Sequence, residues 1–552
     1  MAGINNIFEI GRLGIQAFQR GLSVTSHNIS NAGTEGFSRQ NVILEAARPL
    51  GGVIPTGVRV AEVRRNVDQF VEAQLTDTTQ DFGRLSRRHD LLLQVESIFT
   101  ESDDLGITSA VDRLFNAFRD LSTFPEGTSQ RTLLLSEAGT LADTFNSAST
   151  SLTRIRTDID SSINRNLSEV NSLASQIASL NNQIQLSESS GENANDLRDK
   201  RAVAITSLAE LVNIETVDMA DGTAVMVGGQ LLISGKRSNS LVQVSDADNP
   251  GLNDVALQRR DGTKFVITNK ITDGTISGQL TVRDTDVVGY LDRLDRTAAV
   301  LLNEINQQHA AGYGLDGTTG NLLFSALSPD APLAKDTNTG AAAGTSTSIL
   351  TASSLTMDTY ELQFTNATTF NVVNVTDGTT ILSAQTYTSG NNIDFDGLRV
   401  VITDGTGAPA ASDVFTVSAH KGAAADLAVS LTNVNKVAAS STAAGVPGNN
   451  INALALVAIQ TTAQGTLGSL KLNDYHAVTV GNVGSDVSLA GLQRDAKQVE
   501  LDQVKSLRES VSGVSLDEEL TRLLEFQRAF EASARVITTA DELFQTVLTL
   551  GL

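Results

Sequence analysis

Near the C-terminus, apolar side chains recur in alternating steps of four and three. Counting from Leu516 gives Leu516, Leu520, Leu523, Gln527, Phe530, Ala534, Ile537, Asp541, Phe544 and Leu548, eight of the ten apolar. That is the seam of a coiled coil. The spacing predicts one helix from Ser515 to the end of the chain, roughly 50 Å long. Ser515 with Glu518 three residues on reads as a capping box, and Asp517, Glu518 and Glu519 put negative charge at the positive end of the helix dipole. The other end carries a matching stripe: Ile4, Phe8, Gly11, Ile15, Phe18, Leu22, Thr25 and Ile29. Ordinary core helices of one globular domain would explain either stripe alone. Matching stripes at opposite ends of 552 residues favour an assembly element, two helices side by side with the rest looped out between them.

Between the ends the periodicity changes several times. Val42 to Val63 alternates as short strands, with turns at Gly51-Gly52 and Pro55-Thr56-Gly57. Helical spacing resumes at Asn66 and holds to Phe99, until Asp103-Asp104-Leu105-Gly106 breaks it. Val111, Leu114, Phe115, Phe118 and Leu121 share one face of a shorter helix that stops before Pro125. Residues 128 to 187 give the longest helical pattern. Its stripe includes Leu152, Ile159, Ile163, Leu167, Val170, Ile177 and Ile184, and the remainder is mostly Ser, Asn, Gln and charge, the coat of a rod. Asn195 to Arg201 opens another helix. From about Val212, short β-runs separated by Asp-Gly, Gly-Gly and Asn-Pro predict an all-β domain. Val287 to Ala311 is helical again. Residues 326 to 430, rich in Thr, Gly and Ala, predict a second, outermost β domain; helical texture returns from Asn452, with Gly513 as a joint before the last helix.

The expected architecture is therefore α+β and multidomain. It has a terminal coiled-coil domain (1–40 and 512–552) and a mainly helical rod (41–213, 284–325 and 431–511). A β domain (214–283) and an outer β domain (326–430) are inserted into the rod.

Composition narrows the function. Forty basic against sixty-three acidic side chains give a net charge of −23, which argues against nucleic acid or an anionic membrane as partner. No cysteine is present, so there is no disulfide frame, thiol nucleophile or Cys-based zinc site. Trp is absent and aromatics are 4%, which predicts no large buried aromatic core. No apolar run is long enough to span a membrane, and Glu9 and Arg12 sit where a signal peptide would have its apolar core, so export without a cleavable signal peptide is the expectation.

Catalytic patterns are not found. His27, His89, His309, His420 and His476 lie far apart, and none has a paired-ligand spacing. There is no G-x-S-x-G elbow and no phosphate-binding loop. Asp246-Ala247-Asp248-Asn249-Pro250-Gly251 has a faint likeness to a calcium loop, but with Pro at the fifth position and no Glu at the twelfth it reads as a turn. His309, in a helix-terminal turn, reads as capping or packing. The expectation is a structural, non-enzymatic protein with no metal and no cofactor.

Three motifs then carry a resemblance. The run Asn28-Ile29-Ser30-Asn31-Ala32-Gly33-Thr34-Glu35-Gly36-Phe37 resembles the N-terminal signature of bacterial flagellar axial proteins, and Ser38-Arg39-Gln40 is similar to the version in the hook-associated junction branch of that family. Val514 to Glu519, followed by Gln527, Ala529, Phe530 and Ala532, is similar to that branch's C-terminal end. Phe37 and Phe530 stand where Tyr is common and lose only a hydroxyl. His309-Ala310-Ala311-Gly312-Tyr313, with Asp316-Gly317, Gly320 and Phe324 behind it, resembles a third family motif. The likeness covers roughly 1–215, 285–325 and 450–552 and not the β insertions.

The resemblance implies an extracellular flagellar protein, exported through a narrow channel. Its terminal helices would polymerise with further copies as a ring or helix in the axial core. The implied partners are hook protein, a second junction protein, the flagellin side of the filament and an export chaperone. An isolated helix of this kind is marginal in water, so both ends are expected to be largely disordered until intersubunit burial offsets the ordering entropy. Rival readings are another axial component of hook or rod type, and a secreted adhesin or surface protein on a coiled-coil stalk.

Overall fold

The computed structural model describes residues 2–47, 57–100, 106–191 and 193–550, with side chains from Asn5 to Thr549 within those ranges. Ile4's side chain, the turns expected at residues 51–56 and most of the break at 103–106 lie outside them.

The chain ends form one unit. Helix α1 (Ala2–Ser30) and helix α11 (Leu516–Leu550) run antiparallel, and a two-stranded antiparallel sheet of β1 (Gln40–Ala46) and β2 (Val58–Arg65) packs beside α1. Helix α2 (Gln69–Glu96) starts on an Asp68 cap whose carboxylate accepts from the Phe70 N–H. Helix α3 (Ile107–Thr123) buries Val111, Leu114, Phe115, Phe118 and Leu121. Helix α4 (Thr128–Ser189) spans 62 residues without Pro, and its buried stripe runs through Leu134, Phe145, Leu152, Ile163, Val170 and Ile177. Helix α5 (Asn195–Leu211) folds back on it.

Next come a four-stranded antiparallel meander over residues 215–238 and a three-stranded one over 240–266. The β texture ends sooner than the sequence pattern suggested. Helix α6 (Gly274–Thr281) lies inside the stretch 214–283 expected to be all β, and a five-residue π-turn over Val282–Asp286 carries it into helix α7 (Val287–Ala311). Arg283 in that turn is fully buried, and its Nη1 donates to Asp160 Oδ1 of α4 (2.5 Å) and to the Asn253 carbonyl (2.8 Å). A bulge that re-aims one side chain is a common use of a π-turn. Short polar residues around it gave no helical stripe to read.

Residues 333–418 form a five-stranded and a three-stranded antiparallel sheet. Their core corrects the expectation drawn from the low aromatic content. Phe364 packs against Phe370 (5.7 Å between centroids), Tyr387 (5.1 Å) and Phe415 (5.7 Å), and Tyr360 meets Phe395 edge-on at 5.0 Å. A chain average says nothing of where the few rings gather.

The chain returns through a single turn of helix α8 (Ala423–Asp426) and helix α9 (Ile451–Ile459) to helix α10 (Leu472–Ser512). The return is pinned to α7: Asp295 accepts from the Gly422 and Ala424 N–H groups, and burial raises its pKa to about 6. Helix α10 lies antiparallel on α2. Leu501 and Val504 close on Leu75 and Phe82, while Arg508 reaches Glu72 (2.9 Å) and Lys497 reaches Asp81 (2.9 Å). Among the described residues no helix is long and apolar enough to cross a membrane.

Candidate assembly site at the terminal helices

The α1–α11 contact line differs from the stripe expected on α1. It runs through Gly11, Gly14, Phe18, Gly21, Thr25 and Asn28. A methyl group added at Gly11 would meet Ile537 at 2.5 Å, one at Gly14 would meet Ser533 at 2.7 Å, and one at Gly21 would meet the Phe526 ring at 2.9 Å. Phe18 tilts against Phe526, and the line ends with Asn28 hydrogen-bonded to Glu519. The period is that of the expected seam, but at alternate positions the glycine or asparagine takes the contact and its larger neighbour stands beside it. Ile15, Leu22 and Ile29 thus flank the line half-buried, as does Phe8. Small residues let two backbones approach closely, and a count of apolar side chains does not weigh that.

On α11, Leu523, Phe530, Ile537 and Phe544 are half-buried and Ala540 is fully buried. Leu516, Leu520 and Leu548, expected in the same seam, instead face outward with 50%, 51% and 53% of their surface exposed. Leu524, Leu543 and Val547 join them at 54%, 46% and 45%. The two helices therefore satisfy one face of each other and leave apolar positions exposed beside the contact, Leu516, Leu520 and Leu524 near its base and Leu543, Val547 and Leu548 near its far end.

The signature Asn28 to Gln40 builds the base of the pair. Asn28 Nδ2 donates to the Gln40 carbonyl (2.9 Å) and to Glu519 Oε2 (2.8 Å), while its Oδ1 accepts from the Gln40 N–H (3.0 Å). Asn31 ends α1 by donating to the His27 carbonyl, and the turn continues through Thr34 to the Phe37 N–H. Gly36 has φ +73°, a left-handed conformation, and a Cβ there would meet Val203 of α5 at 2.1 Å; both constraints call for glycine. Phe37 packs edge-on against His27 at 5.5 Å.

Arg39 is the hub. Its N–H donates to the carbonyl of Ser512, the last residue of α10 (2.8 Å). Its guanidinium donates to Glu519 Oε1 and Glu518 Oε2, both at 2.7 Å, in the first turn of α11. Burial opposes its charge, but the two carboxylates outweigh that and hold its pKa above the usual value. Glu518, expected to close a capping box with Ser515, thus serves Arg39. Glu519 is fully buried. Gln40 Nε2 donates to Asp196, and the Ser38 N–H donates to Asp199, which also takes Arg65 (2.7 Å). In the sequence, Asn195, Asp196 and Asp199, at the start of α5, show only a helix opening. Polar residues clustered before a helix give no sign of which distant turn they will receive.

The third motif is not part of this network. His309 is fully buried at the end of α7. Its Nδ1 lies 2.7 Å from the Asn321 carbonyl, its Nε2 accepts from the Ala438 N–H (2.9 Å), and burial lowers its pKa. A Cβ on Gly312 would meet Asn452 at 2.1 Å, and Tyr313 pairs with Ser440. These residues lock the 309–324 turn onto the returning chain. Asp246, Asp254 and Asp336 bring carboxylates within 4.8 Å of one another, with Asp246 holding the Asp248 and Asn249 N–H groups in the turn read from the sequence.

Paired terminal helices rooted by an Asn28–Arg39–Glu519 network, with the remaining domains inserted between them, are the arrangement in which the flagellar axial signature residues meet. Residues 508–550 match the flagellar basal body rod FlgEFG protein C-terminal family, and residues 92–324 match the flagellar hook-associated protein FlgK helical domain family. Among curated proteins, the chain is 27% identical to flagellar hook-associated protein 1 of Escherichia coli (strain K12), over 99% of both chains. It is also 27% identical to the protein of that name in Bacillus subtilis (strain 168), over 98% of this chain and 97% of the relative. The structure of the flagellar hook junction protein FlgK from Burkholderia pseudomallei superposes with a TM-score of 0.69 at 20% identity, covering 80% of this chain and all of that one. Over nearly its whole length the chain is thus similar to proteins named flagellar hook-associated protein 1, and its residues 92–324 match the helical domain of FlgK.

Proposed function

We propose that this chain is a structural, non-enzymatic component of the bacterial flagellum that joins hook to filament. It is held in the axial structure by the open faces of its terminal helical pair. One observation carries the reading: α11 leaves Leu516, Leu520, Leu524, Leu543, Val547 and Leu548 close to half exposed while its other face is filled by α1. A stable monomer seldom leaves so many large apolar side chains of one helix in water. The open faces would be covered by neighbouring copies, by hook protein on one side, and by a second junction protein and the flagellin side of the filament on the other. Before assembly an export chaperone would shield them, and the chain would leave the cell without a cleavable signal peptide. In the free chain before assembly both ends are expected to be largely disordered, and the α1–α11 pair to hold once neighbours cover it.

The test is a strain lacking the protein, complemented with the full chain or with a form lacking residues 1–38 and 515–552. Hooks without filaments are expected in the unrescued strain and with the truncated form, and filaments with the full chain. Filament growth on the truncated form would overturn the assembly role of the ends.

A further inference from the structure

The β body over residues 333–418 is joined to the rod by two links that start side by side. Phe324 pairs with Val429, and the Ser325 N–H donates to the Ala428 carbonyl (2.8 Å). Entry and exit at one place are the layout of a hinge. Away from the links, the polar contacts of this body with α7 are long. Arg296 Nη1 stands 3.5 Å from Asp358 Oδ1, and Asn303 Nδ2 donates to the Ala352 carbonyl at 3.3 Å. Arg296 Nε and Thr347 Oγ1, along the same seam, are buried without a hydrogen-bond partner. A finished interior leaves few such groups. Thr347 lines a cleft of about 490 Å³ between the body and α7, together with Leu302, Gln307 and Ile349. On the side of the inner β domain, Asp336 exchanges hydrogen bonds with Ala247 and Asp248, but it also sets a third carboxylate within 4.8 Å of Asp246 and Asp254. Like charges that close oppose a tight seat.

The returning link is held quite differently. His420, two residues past the last strand (Val414–Ser418), is fully buried. Its Nδ1 lies 2.8 Å from Ser418 Oγ, at the end of that strand, and its Nε2 lies 2.7 Å from Asp292 Oδ1 of α7. Nε2 donates to the carboxylate, which leaves Nδ1 to accept from the Ser418 hydroxyl. One turn further along α7, Asp295 takes the Gly422 and Ala424 N–H groups, and Asn146 of α4 donates to the Ala424 and Ala425 carbonyls (2.8 and 2.9 Å). The chain is thus tied to the rod from His420 onward, and His420 in turn grips the end of the strand. We infer that residues 333–418 are a hinged body, and that the Ser418–His420–Asp292 chain of hydrogen bonds is the pin that fixes its angle to the rod. With the pin in place the last strand leaves α7 in one direction. Without it, the link is free to turn between Ser418 and Gly422, and the cleft beside α7 is space into which the body can swing. A polar seam of this kind between domains permits such motion, whereas a broad apolar one does not. The pin would act in the same way whatever the chain joins.

The chain has no cysteine, so two introduced thiols take spin labels at unique positions. Ser168→Cys lies on the exposed face of α4. Ser383→Cys lies on the exposed strand Thr380–Thr386, at the edge of the five-stranded sheet remote from Val414–Ser418. In the purified full chain, pulsed EPR should give one narrow distribution of distances between the labels. His420→Ala should broaden it about twofold, as rotation of a rigid body about a hinge does. As a second variant, Asp292→Ala removes the other end of the pin at a side chain that is 45% exposed, and should broaden the distribution in the same sense. Asp292→Asn keeps an acceptor for Nε2 and should keep the narrow width. Hydrogen exchange in α4 and α7 should be unchanged in all three variants, which separates a freed hinge from a partly unfolded rod. An unchanged width in His420→Ala or in Asp292→Ala overturns the inference. So does a native chain already as broad as these variants, or broadening that comes with lost protection in α7.

Discussion

Helices α4 and α10 are both long, both amphipathic on their inner side, and belong to the same rod. They differ on the side that faces away from the core. From Thr157 through Ser161, Asn164, Ser168, Ser172 and Ser175 to Ser179, the outer surface of α4 is short and polar; its two exposed leucines, Leu133 and Leu186, sit near its ends. The outer surface of α10 shows Leu489, Leu492, Val499 and Leu507. One helix is finished when the chain folds. The other keeps these four apolar side chains uncovered among the described residues. Exposed apolar residues scattered singly are ordinary, as Leu133 and Leu186 are on α4, but a row at seam spacing is not.

The comparison can be tested first at the inner faces, where the two helices should behave alike. Phe145→Ala, at a fully buried position of α4, should lower stability by about 3–5 kcal/mol, and Leu501→Ala on α10 by about 2–4 kcal/mol, read by denaturant unfolding. A negligible effect of Leu501→Ala would mean that α10 is not docked on α2. The joint is next. Glu519→Ala leaves Arg39 without its buried partner and should loosen the base of α11 by about 2–3 kcal/mol, because a buried charge loses its counterion while the exposed Glu518 remains. Hydrogen exchange in the first turns of α11 reads this directly, with α4 as the unchanged reference.

Titration adds a smaller effect. Burial lowers the pKa of His309, which lies near Arg131 in the first turn of α4, so the folded state favours the neutral ring. Above about pH 6.5, the ordinary histidine value, neither folded nor unfolded His309 binds a proton and its full contribution is present. As pH falls below that, the unfolded chain takes up a proton that the folded chain resists, and stability declines. His309→Gln should flatten this acid limb of the stability profile, measured by unfolding between pH 7 and 5. Smallest of all should be the outer faces themselves. Leu492→Gln on α10 and Ser168→Leu on α4 should each change the stability of the soluble chain by no more than about 0.5 kcal/mol. A large destabilisation by Leu492→Gln would mean that its side chain is part of the folded core.

The long helices, the paired ends and the alternation of β and helical segments were all legible in the sequence, because a 3.6- or 3.5-residue period repeated over many turns is a strong signal. The signature residues Asn28, Gly36 and Arg39 were also visible as a motif. Their partners were not. Asn28 meets Glu519 across 491 positions, and Ser38 meets Asp199 across 161, and nothing local encodes those pairings.

By itself, then, the sequence determined which segments would be helical, that both termini would carry apolar seams, and that no familiar catalytic pattern is present. Only the tertiary structure decided which residues of each seam make contact. Periodicity fixes the angle of a face to within a residue or so, whereas contact depends on how closely two backbones come together. Glycines at positions 11, 14 and 21 allow that approach on one line, while Leu516 and Leu548, at the two ends of α11, lie past the contacts with α1 and stay exposed. The open face of α10 followed for the same reason. A helical pattern shows that a residue is apolar, but only the positions of the other helices show whether anything covers it.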